Sequence, residues 1–349
     1  MRIAICHPQT PFSRGGGEYH TEGLARALRE AGHEVDILPI PFKWYPANEL
    51  VHQMGLWRSL DLSEANGQPI DMVVALKFPA YFVRHPRKVV WLIHQHRAAY
   101  ELWSHPVFGD LAMDPDGHAV RELIWKGDRV ALAEAKRIFT NSSNVRDRLR
   151  ESLGMAAEPM YHRSPLTEAL VEAPSGEQGD YVLFPSRLEP LKRQALVVES
   201  MRHVRSGVRL VLVGAGSDRP KLERLVEERK LADRVALEGP VSDRTLLDLY
   251  RRSLGVYYGP YDEDYGYVTL EGMAARKPVV TLSDSGGPLE LVRTGENGLI
   301  AAPKPKAIAA ALDALAADRP AASAMGEAGH ELLLQAVPAW PEVVERLLD

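Results

Sequence analysis

The 349-residue chain contains a single cysteine, Cys6, so no disulfide can form within it and no cage of thiolates can hold zinc. Its basic residues do not outnumber its acidic ones: 42 Lys and Arg stand against 47 Asp and Glu, a formal net charge of −5. Proteins that bind nucleic acid by counterion release are normally basic, which argues against DNA or RNA as the partner. No apolar run approaches the ~20 residues of a membrane span, and no signal peptide precedes the first strand-like run. We therefore expect a cytoplasmic protein with at most peripheral membrane contact.

The composition is that of a globular protein, with 45% hydrophobic and 26% charged residues. At about 150 residues per domain, the length predicts two domains. Short apolar runs alternate with longer amphipathic ones, which predicts strand–helix units around parallel sheets and therefore an α/β fold. The candidate strands span residues 3–6, 35–38, 72–76, 89–93, 137–140, 181–184, 209–213, 234–237, 254–258 and 278–281.

A stretch rich in proline, glycine and acidic residues separates two series of such units. It spans residues 159–180 and lacks periodicity, so we interpret it as the interdomain linker. The predicted domains are 1–168 and 169–349, with the last helix in a position to pack back on the first domain. Because ligands of open parallel sheets bind at the carboxyl ends of the strands, the loops at those ends are the candidate functional segments.

Three consecutive glycines, Gly15 to Gly17, precede Glu18 between the first strand and the first helix. Glycines there let backbone amides approach an anion at the helix N-terminus, where the helix dipole favours negative charge. The spacing is not the G-x-G-x-x-G pattern of dinucleotide binding. Taken alone, the segment is equally well explained as a flexible turn.

A basic loop follows the predicted strand at 181–184. It contains Arg187, which offers a planar fork of donors, and Lys192, which offers a mobile point charge. This combination suits a diphosphate. The alternative is a solvated loop in which the basic residues pair with Glu189.

Two glutamates, Glu263 and Glu271, follow the predicted strand that ends at Tyr258. Gly266 lies between them and is the predicted start of the next helix, whose amides would again favour phosphate. A carboxylate has two acceptor oxygens and can bind a vicinal diol on a ribose or on a sugar ring. Either glutamate alone is more typical of a surface carboxylate near a helix start.

The order and spacing of these motifs resemble retaining glycosyltransferases of family 4. The resemblance is close over the C-terminal half of the chain and looser over the N-terminal half. It implies a GT-B architecture, in which two Rossmann-like, doubly wound domains face a central cleft. The matching segments are the glycines at 15–17, Arg187 to Lys192, Gly214-Ala215-Gly216, Glu238-Gly239-Pro240-Val241, the pair Glu263 and Glu271, Pro278-Val279-Val280 and Gly286-Gly287-Pro288-Leu289-Glu290.

The resemblance also implies an activity. A sugar would pass from a nucleotide-diphosphate sugar of the UDP or GDP type to a hydroxyl of a glycan, glycolipid or small-molecule acceptor, with retention of configuration. Neither a metal nor another cofactor would be needed. The C-terminal domain would bind the donor and the N-terminal domain the acceptor.

Residue by residue, the resemblance assigns catalytic roles to His94, Arg187, Lys192 and Glu263. Arg187 and Lys192 would neutralise the diphosphate, Glu271 would bind the ribose hydroxyls, and Glu263 the hydroxyls of the transferred sugar. Loss of Glu263 should therefore spare the binding of free nucleotide. Further donor contacts are implied for Gly16, Gly17, Gly239, Val241, Tyr265, Gly266, Tyr267 and Val268, and acceptor contacts for Glu18 and His96.

The chain departs from the family pattern at two places. Where the family commonly has Glu-Gly-Phe-Gly, this sequence has Glu-Asp-Tyr-Gly, which puts Asp264 beside Glu263. The family usually has a glycine before the proline at 278, but here Lys277 precedes it. Both departures leave the phosphate site intact and bear on which sugar is accepted.

A metal-dependent mechanism would use one of two D-x-D pairs, Asp262 with Asp264 or Asp114 with Asp116. Such pairs can hold a divalent metal against a diphosphate. Here the basic loop already supplies positive charge, so we expect no metal.

Other functions are less favoured by the sequence. His94 and His96 lie on one side of an extended segment and could bind zinc, but no acidic third ligand stands at a suitable spacing. A non-catalytic protein that binds a nucleotide sugar or glycan is the main alternative. An NAD-dependent dehydrogenase is disfavoured, because the first strand–helix turn lacks the dinucleotide pattern.

Overall fold

Two parallel sheets organise the chain. A computed structural model describes residues 1–174 and 176–349, which divide into two compact units. The N-terminal unit comprises Met1–His162 and Ala339–Asp349, and the C-terminal unit comprises Arg163–Pro338. The last eleven residues thus belong to the same unit as the first strand.

The N-terminal unit alternates strands and helices along most of its length. Its strands are β1 (Arg2–Gln9), β2 (Glu34–Pro41), β3 (Glu64–Ala65), β4 (Gln68–Pro69), β5 (Met72–Ala75), β6 (Lys88–Leu92), β7 (Arg137–Thr140) and β8 (Glu158–Pro159). Its first helices are α1 (Gly16–Glu30), α2 (Asn48–Ser59), α3 (Asp110–Met113), α4 (Gly117–Ala133) and α5 (Ser143–Leu153).

The main sheet of this unit is parallel and has the order β2-β1-β5-β6-β7-β8. Successive strand residues enter different cores: Ile3 and Ile5 pack on one face of the sheet, and Ala4 and Cys6 on the other. Burial on both faces explains why these strands are continuous apolar runs. The strand order reverses at β1, which has β2 on one side and β5 on the other. The loops after β1 and β5 therefore leave the sheet side by side.

The C-terminal unit repeats this architecture. Its strands are β9 (Tyr181–Pro185), β10 (Arg209–Val213), β11 (Val235–Leu237), β12 (Gly255–Tyr257), β13 (Val279–Leu282) and β14 (Gly298–Ala301). Its helices are α6 (Pro165–Glu172), α7 (Gln194–Ser200), α8 (Arg219–Glu228), α9 (Asp243–Arg252), α10 (Tyr267–Ala274), α11 (Pro305–Ala317) and α12 (Arg319–Ala336). The sheet is parallel with the order β11-β10-β9-β12-β13-β14, so its order reverses between β9 and β12.

The last helix, α13 (Trp340–Leu348), packs in the N-terminal unit. Trp340, Val343 and Leu347 share a core with Leu24 of α1. A Cβ at Gly23 would lie 2.7 Å from the indole ring of Trp340, so the close approach of the two helices depends on that glycine.

The predicted α/β class with two Rossmann-like parallel sheets is confirmed. Each predicted strand overlaps an observed strand, whereas the edge strands β8 and β14 and the short strands β3 and β4 were not predicted. The stretch 159–180, which the sequence predicts as the interdomain linker, contains α6, and the predicted domain boundary at 168/169 falls inside that helix. Pro165 breaks the apolar periodicity but occupies the first turn of α6, where a helix needs no amide donor, and the Ser164 hydroxyl accepts from the Thr167 amide at 3.1 Å.

Buried histidines form part of the N-terminal core. The ring of His20 lies 4.3 Å from that of Trp91 and 4.0 Å from that of His162, with Trp340 at 6.4 Å. Burial lowers the pKa of His20 well below its usual value and that of His162 to about 3. Both rings are therefore neutral in the folded chain at neutral pH.

Acid should destabilise this unit through His20. In the unfolded chain the ring takes up a proton below about pH 6.5, whereas in the folded chain it stays neutral, so its contribution to stability is present above that pH and is lost as the pH falls. Between pH 7.5 and pH 5, wild type should lose about 2 kcal/mol more unfolding free energy than His20→Gln. All six tryptophans lie in this unit, so urea titrations followed by tryptophan fluorescence measure the difference. Parallel pH profiles for the two proteins would contradict the neutral, buried ring.

Candidate active site

The predicted site residues of the C-terminal unit lie on adjacent loops at the carboxyl edge of its sheet. Residues 186–193 follow β9 and residues 258–266 follow β12, and these strands are neighbours where the strand order reverses. At such a switch point the loops diverge from each other and leave a crevice, which is where open α/β sheets bind ligands.

Close backbone packing fixes the loop after β9. A Cβ at Gly214 would lie 2.1 Å from the carbonyl oxygen of Ser186, and a Cβ at Gly216 would lie 2.2 Å from that of Leu188. Neither position therefore accepts a side chain without moving the backbone. The buried amide of Gln194 adds a hydrogen bond from Nε2 to the Ser186 hydroxyl at 2.8 Å.

The two predicted diphosphate ligands have different surroundings. Arg187 is half-exposed, and its Nη1 lies 3.8 Å from the carboxylate of Glu189, a surface ion pair of little strength. Its guanidinium can therefore turn to another anion at small cost. Lys192 ends a short 3₁₀ turn, and its side chain is only 17% exposed.

Lys192 joins a three-membered group with Tyr258 and Glu263. The Lys192 ammonium donates to the Tyr258 hydroxyl at 3.1 Å, and this hydroxyl donates to Oε2 of Glu263 at 2.9 Å. Lys192 also forms an ion pair with the same oxygen of Glu263. The structure thus brings two of the predicted catalytic residues into direct contact and adds Tyr258, which the sequence analysis did not identify.

Arg193 ties the neighbouring loops together. Its guanidinium donates to both carboxylate oxygens of Asp284, at 2.8 and 2.7 Å, and to the carbonyl oxygens of Gly259 and Pro260 at 2.9 and 2.6 Å. The loops after β12 and β13 are therefore held by one side chain. Arg193 has a φ of 56°, in the left-handed region that disfavours residues with a Cβ, so these contacts offset local strain.

A backbone ladder positions Glu263. Its amide donates to the carbonyl of Ser285 at 2.8 Å, and its carbonyl accepts from the amide of Gly287 at the same distance. Gly266, with a φ of 89°, then starts α10 as predicted, and a Cβ there would lie 3.0 Å from Tyr258 and Pro288. The backbone amides in the first turn of α10 thus lie at the same edge of the sheet as Glu263.

Glu271 lies one turn further along α10 and is 9% exposed. Its carboxylate accepts from the Ser164 hydroxyl at 3.0 Å and from the Tyr250 hydroxyl at 2.6 Å. Burial raises the pKa of Glu271, and the two hydroxyl donors act against that rise. A carboxylate can accept about four hydrogen bonds, so two donors leave acceptor capacity for a diol.

The other predicted donor residues of this unit lie near the same edge. Gly239 follows β11 with a φ of 70°, and Val241 precedes α9. Tyr265 and Val268 are buried, with 7% and 8% exposure. The ring of Tyr267 packs 5.4 Å from that of Tyr265. Their roles stay predictions.

In the N-terminal unit, the glycine loop encloses a carboxylate from its own helix. Glu18 Oε2 accepts from the Gly15 amide at 2.7 Å, and Oε1 accepts from His7 Nε2 at 3.1 Å. A Cβ at Gly17 would lie 3.3 Å from both the His7 ring and the Lys77 ammonium. His7 and Lys77 therefore belong to this group, and the sequence analysis missed both because β1 and β5 become neighbours only in the sheet.

Burial, hydrogen bonds and neighbouring charges determine the ionisation of Glu18 and His7. Burial acts to raise the pKa of Glu18, but the hydrogen bond from His7 and the charge of Lys77 outweigh it and lower that pKa to about 2. Burial lowers the pKa of His7 against the effect of Glu18. A neutral His7 thus lies beside an ionised Glu18. The loop that contains the predicted contacts Gly16, Gly17 and Glu18 therefore already carries one negative charge.

The two predicted histidines follow β6. His94 donates from Nδ1 to the carbonyl oxygen of Gln95 at 2.6 Å, and the ring of His96 packs 5.3 Å from that of Phe78. Burial, and then the neighbouring His94, lower the pKa of His96 to about 3. Their predicted catalytic and acceptor-binding roles stay predictions.

Two features are absent from the described residues, 1–174 and 176–349. Among these residues, no group of three or more His, Cys, Asp or Glu is arranged to hold a metal ion. None of the helices in this part of the chain combines the length and the apolar character needed to cross a membrane.

Comparison with known proteins shows that the C-terminal half of the chain is similar to glycosyl transferases of group 1. Residues 168–332 match the family model for glycosyl transferases group 1. Over 183 residues, or 51% of the chain, the sequence is 33% identical to the D-inositol 3-phosphate glycosyltransferase of Xylanimonas cellulosilytica. That match spans 39% of the relative's length. Membership of family 4 and a retaining mechanism stay predictions.

Solved structures with the same fold extend over both units. Sucrose-phosphate synthase from Thermosynechococcus elongatus has a TM-score of 0.78 at 20% identity, covering 99% of this chain and 97% of the other. Anabaena HepE, solved with UDP and glucose, has a TM-score of 0.69 at 17% identity over 100% of this chain and 98% of its own. At these identities the likeness concerns the fold, and the predicted GT-B fold class is confirmed.

The role of Arg193 can be tested by substitution with glycine. Arg193→Gly removes the guanidinium and relieves the left-handed φ, so any loss of stability comes from the contacts to Asp284 and the loop carbonyls. We expect the unfolding free energy of the protein to fall by about 2 kcal/mol, since several charge-assisted hydrogen bonds are lost. Thermal and urea unfolding followed by circular dichroism measure it.

Lys230 provides the matched control, because it is exposed and has the same φ of 56°. Lys230→Gly should be neutral or stabilise the protein by up to ~1 kcal/mol. Equal stability of the two variants would show that the guanidinium of Arg193 does not hold the loops.

Proposed function

We propose that this protein is a retaining, metal-independent glycosyltransferase that moves a sugar from a nucleotide-diphosphate sugar to an acceptor hydroxyl. The observation that carries the proposal is the group formed by Lys192, Tyr258 and Glu263 at the switch point of the C-terminal sheet. It offers a cation for phosphate and a carboxylate for sugar hydroxyls within one hydrogen-bonded unit. The group 1 family match includes all three residues.

The diphosphate would bind between the basic loop and the start of α10. Lys192 supplies a point charge, Arg187 supplies a half-exposed planar fork, and the first amides of α10 supply the positive end of a helix dipole. Anabaena HepE has been solved with UDP-glucose, and its shared fold supports a nucleotide-sugar donor here. Uracil and guanine both remain candidates for the base.

Glu271 would bind the ribose diol of the donor. Its two hydrogen bonds, from Ser164 and Tyr250, fix the carboxylate in one orientation and leave acceptor capacity. Because these donors favour the ionised form, they keep the group able to accept hydrogen bonds from a ribose despite its burial. Glu263 would bind hydroxyls of the transferred sugar.

In the reaction, the bond between C1 of the sugar and the phosphate oxygen breaks and leaves its electron pair on the diphosphate. The acceptor oxygen bonds to C1 on the same face, and its proton passes to the departing phosphate oxygen. Arg187, Lys192 and the amides of α10 stabilise the charge that develops on the leaving group, which is usually the largest catalytic contribution. In this proposal the two cations, Arg187 and Lys192, and the amide dipoles of α10 take the place of a metal.

The acceptor would bind to the N-terminal unit, with Glu18 and His96 as contacts and His94 beside the transferred sugar. Glu18 is ionised and already oriented by His7 and Gly15, so it can accept a hydrogen bond from an acceptor hydroxyl. A glycan, a glycolipid or a small molecule fits this chemistry. The single cysteine favours a reducing compartment, and we propose the cytoplasm.

Calorimetry and turnover with nucleotide sugars test the function. We expect the protein to bind UDP or GDP and to transfer or hydrolyse the corresponding sugar, with the configuration at C1 retained in the product by NMR. Activity after exhaustive EDTA treatment should stay near the untreated level. Binding of NAD without any nucleotide sugar would contradict the proposal, an inverted product would contradict retention, and a loss restored by Mg²⁺ or Mn²⁺ would contradict metal independence.

The two glutamates should respond in opposite directions to isosteric substitution. Glu271→Gln should weaken the binding of free nucleoside diphosphate about tenfold, because a charged acceptor for the ribose is lost. Glu263→Gln should strengthen it several-fold, since the ion pair that engages Lys192 in the free protein is removed. Its turnover should nevertheless fall at least tenfold, because contacts to the sugar tighten as positive charge develops at C1.

Titration calorimetry with free diphosphate, together with initial rates on the cognate donor, separates these outcomes. The sequence alone predicts that loss of Glu263 leaves the binding of free nucleotide unchanged. The ion pair with Lys192 changes this prediction to a gain in affinity for Glu263→Gln. Equal losses of nucleotide affinity in both variants would mean that the two roles are wrongly assigned.

A further inference from the structure

We infer that Tyr258 is a positioning residue of the donor site. Its hydroxyl holds the carboxylate of Glu263 in place when Lys192 turns from that carboxylate to the diphosphate of the donor. This inference rests on the proposed function, and it assigns a role to a residue that neither the motifs nor the resemblance singled out.

The geometry places one oxygen at the centre of the group. Oε2 of Glu263 accepts from the Tyr258 hydroxyl at 2.9 Å and also pairs with the Lys192 ammonium. The Tyr258 hydroxyl accepts from Lys192 at 3.1 Å, and the ammonium lies 5.6 Å from the centre of the tyrosine ring. Tyr258 therefore touches both charged partners and can keep its bond to Glu263 whichever way the ammonium moves.

Burial makes such a partner necessary. The side chains of Lys192 and Glu263 are 17% and 16% exposed, and Tyr258 is buried, so water solvates these charges poorly. A diphosphate attracts Lys192 and at the same time brings negative charge towards Glu263. Separating a partly buried ion pair is costly unless hydrogen bonds satisfy the charge left behind.

Tyr258 is suited to remain a donor. Burial and then the charge of Glu263 raise the pKa of Tyr258 well above its usual value, so the phenol stays protonated at any physiological pH. Its ring is fixed against Phe184, with 5.9 Å between the ring centres. A fixed, neutral donor holds the carboxylate without competing for the phosphate.

The neighbouring tyrosine provides a matched control. Tyr257 packs on the same Phe184, with 5.3 Å between the ring centres. Its hydroxyl is also buried, but it has no hydrogen-bond partner among the described residues. Tyr257→Phe and Tyr258→Phe thus remove the same atom from adjacent, similarly packed rings, and only the second removal touches Lys192 and Glu263.

The experiment uses the full chain and whichever of UDP or GDP the wild type binds. Tyr258→Phe should weaken the binding of that diphosphate five- to tenfold and lower kcat at least tenfold, while KM for the acceptor stays unchanged. Tyr257→Phe should match wild type in all three quantities. Circular dichroism and thermal unfolding verify that both variants are folded.

A double-mutant cycle separates positioning from packing. In Glu263→Gln, the neutral amide does not need the hydroxyl to offset a buried charge, so adding Tyr258→Phe should change diphosphate affinity less than twofold. A full five- to tenfold loss in that background would assign Tyr258 a packing role and overturn the inference.

The remaining outcomes distinguish this inference from the proposed function. If wild type binds neither diphosphate, the proposed function fails and the inference fails with it. If wild type binds and turns over a nucleotide sugar but Tyr258→Phe equals it in affinity and kcat, the inference alone is overturned.

Discussion

The reversal of strand order between β9 and β12 is the constraint on which the C-terminal site depends. β9 and β12 are adjacent parallel strands, and the chain continues from them in opposite directions along the sheet. The loops that follow these two strands therefore lie side by side at one edge of the sheet. One loop carries Lys192 and the other carries Glu263, and their ion pair bridges the crevice thus formed. Arg193 holds the two loops after β12 and β13 together, because its guanidinium forms hydrogen bonds to both of them.

Three cations of this edge are paired with the chain's own carboxylates, and the pairs differ in kind. Arg193 has a bidentate partner in Asp284 and two carbonyl acceptors, which makes it a structural element. Arg187 pairs at 3.8 Å on the surface, where solvent can replace its partner. Lys192 lies between these extremes. Its ion pair with Glu263 fixes the position of the ammonium. The Tyr258 hydroxyl beside it lowers the cost of exchanging Glu263 for another anion. Under the proposed function, an anion that binds here would therefore replace the carboxylate partners of these cations rather than meet unpaired positive charges.

Sequence patterns predicted the sheets well because burial on both faces produces continuous apolar strands in any parallel sheet. They also placed Lys192, Gly266 and both glutamates on loops and a helix at the correct edge. What they could not predict were the partners that come from distant positions. Ser164 and Glu271 are 107 residues apart in the chain, and Arg193 and Asp284 are 91 residues apart.

The start of α6 and the residue Tyr258 were both missed, but only the first has a local signal in the sequence. Pro165 after Ser164 is a typical helix start, which the low periodicity of residues 159–180 concealed. Tyr258 has no such signal. Nothing local distinguishes it from Tyr257, since alternate strand residues face opposite sides and only the sheet decides which side bears the site.

The two glycine-marked helix starts differ in electrostatics, and this difference bears on where an anion binds. At α1 the Gly15 amide already donates to the ionised Glu18, so the chain's own carboxylate takes up part of the helix's positive end. At α10 the first turn contains no acidic residue and begins at Gly266, whose φ of 89° suits only a glycine. A phosphate approaching α1 meets a negative charge, whereas one approaching α10 meets amides and the Lys192 ammonium nearby. We therefore expect a phosphate to bind more strongly at the start of α10, and we expect the loop of Gly16 and Gly17 to be better suited to hydroxyl groups that donate to Glu18.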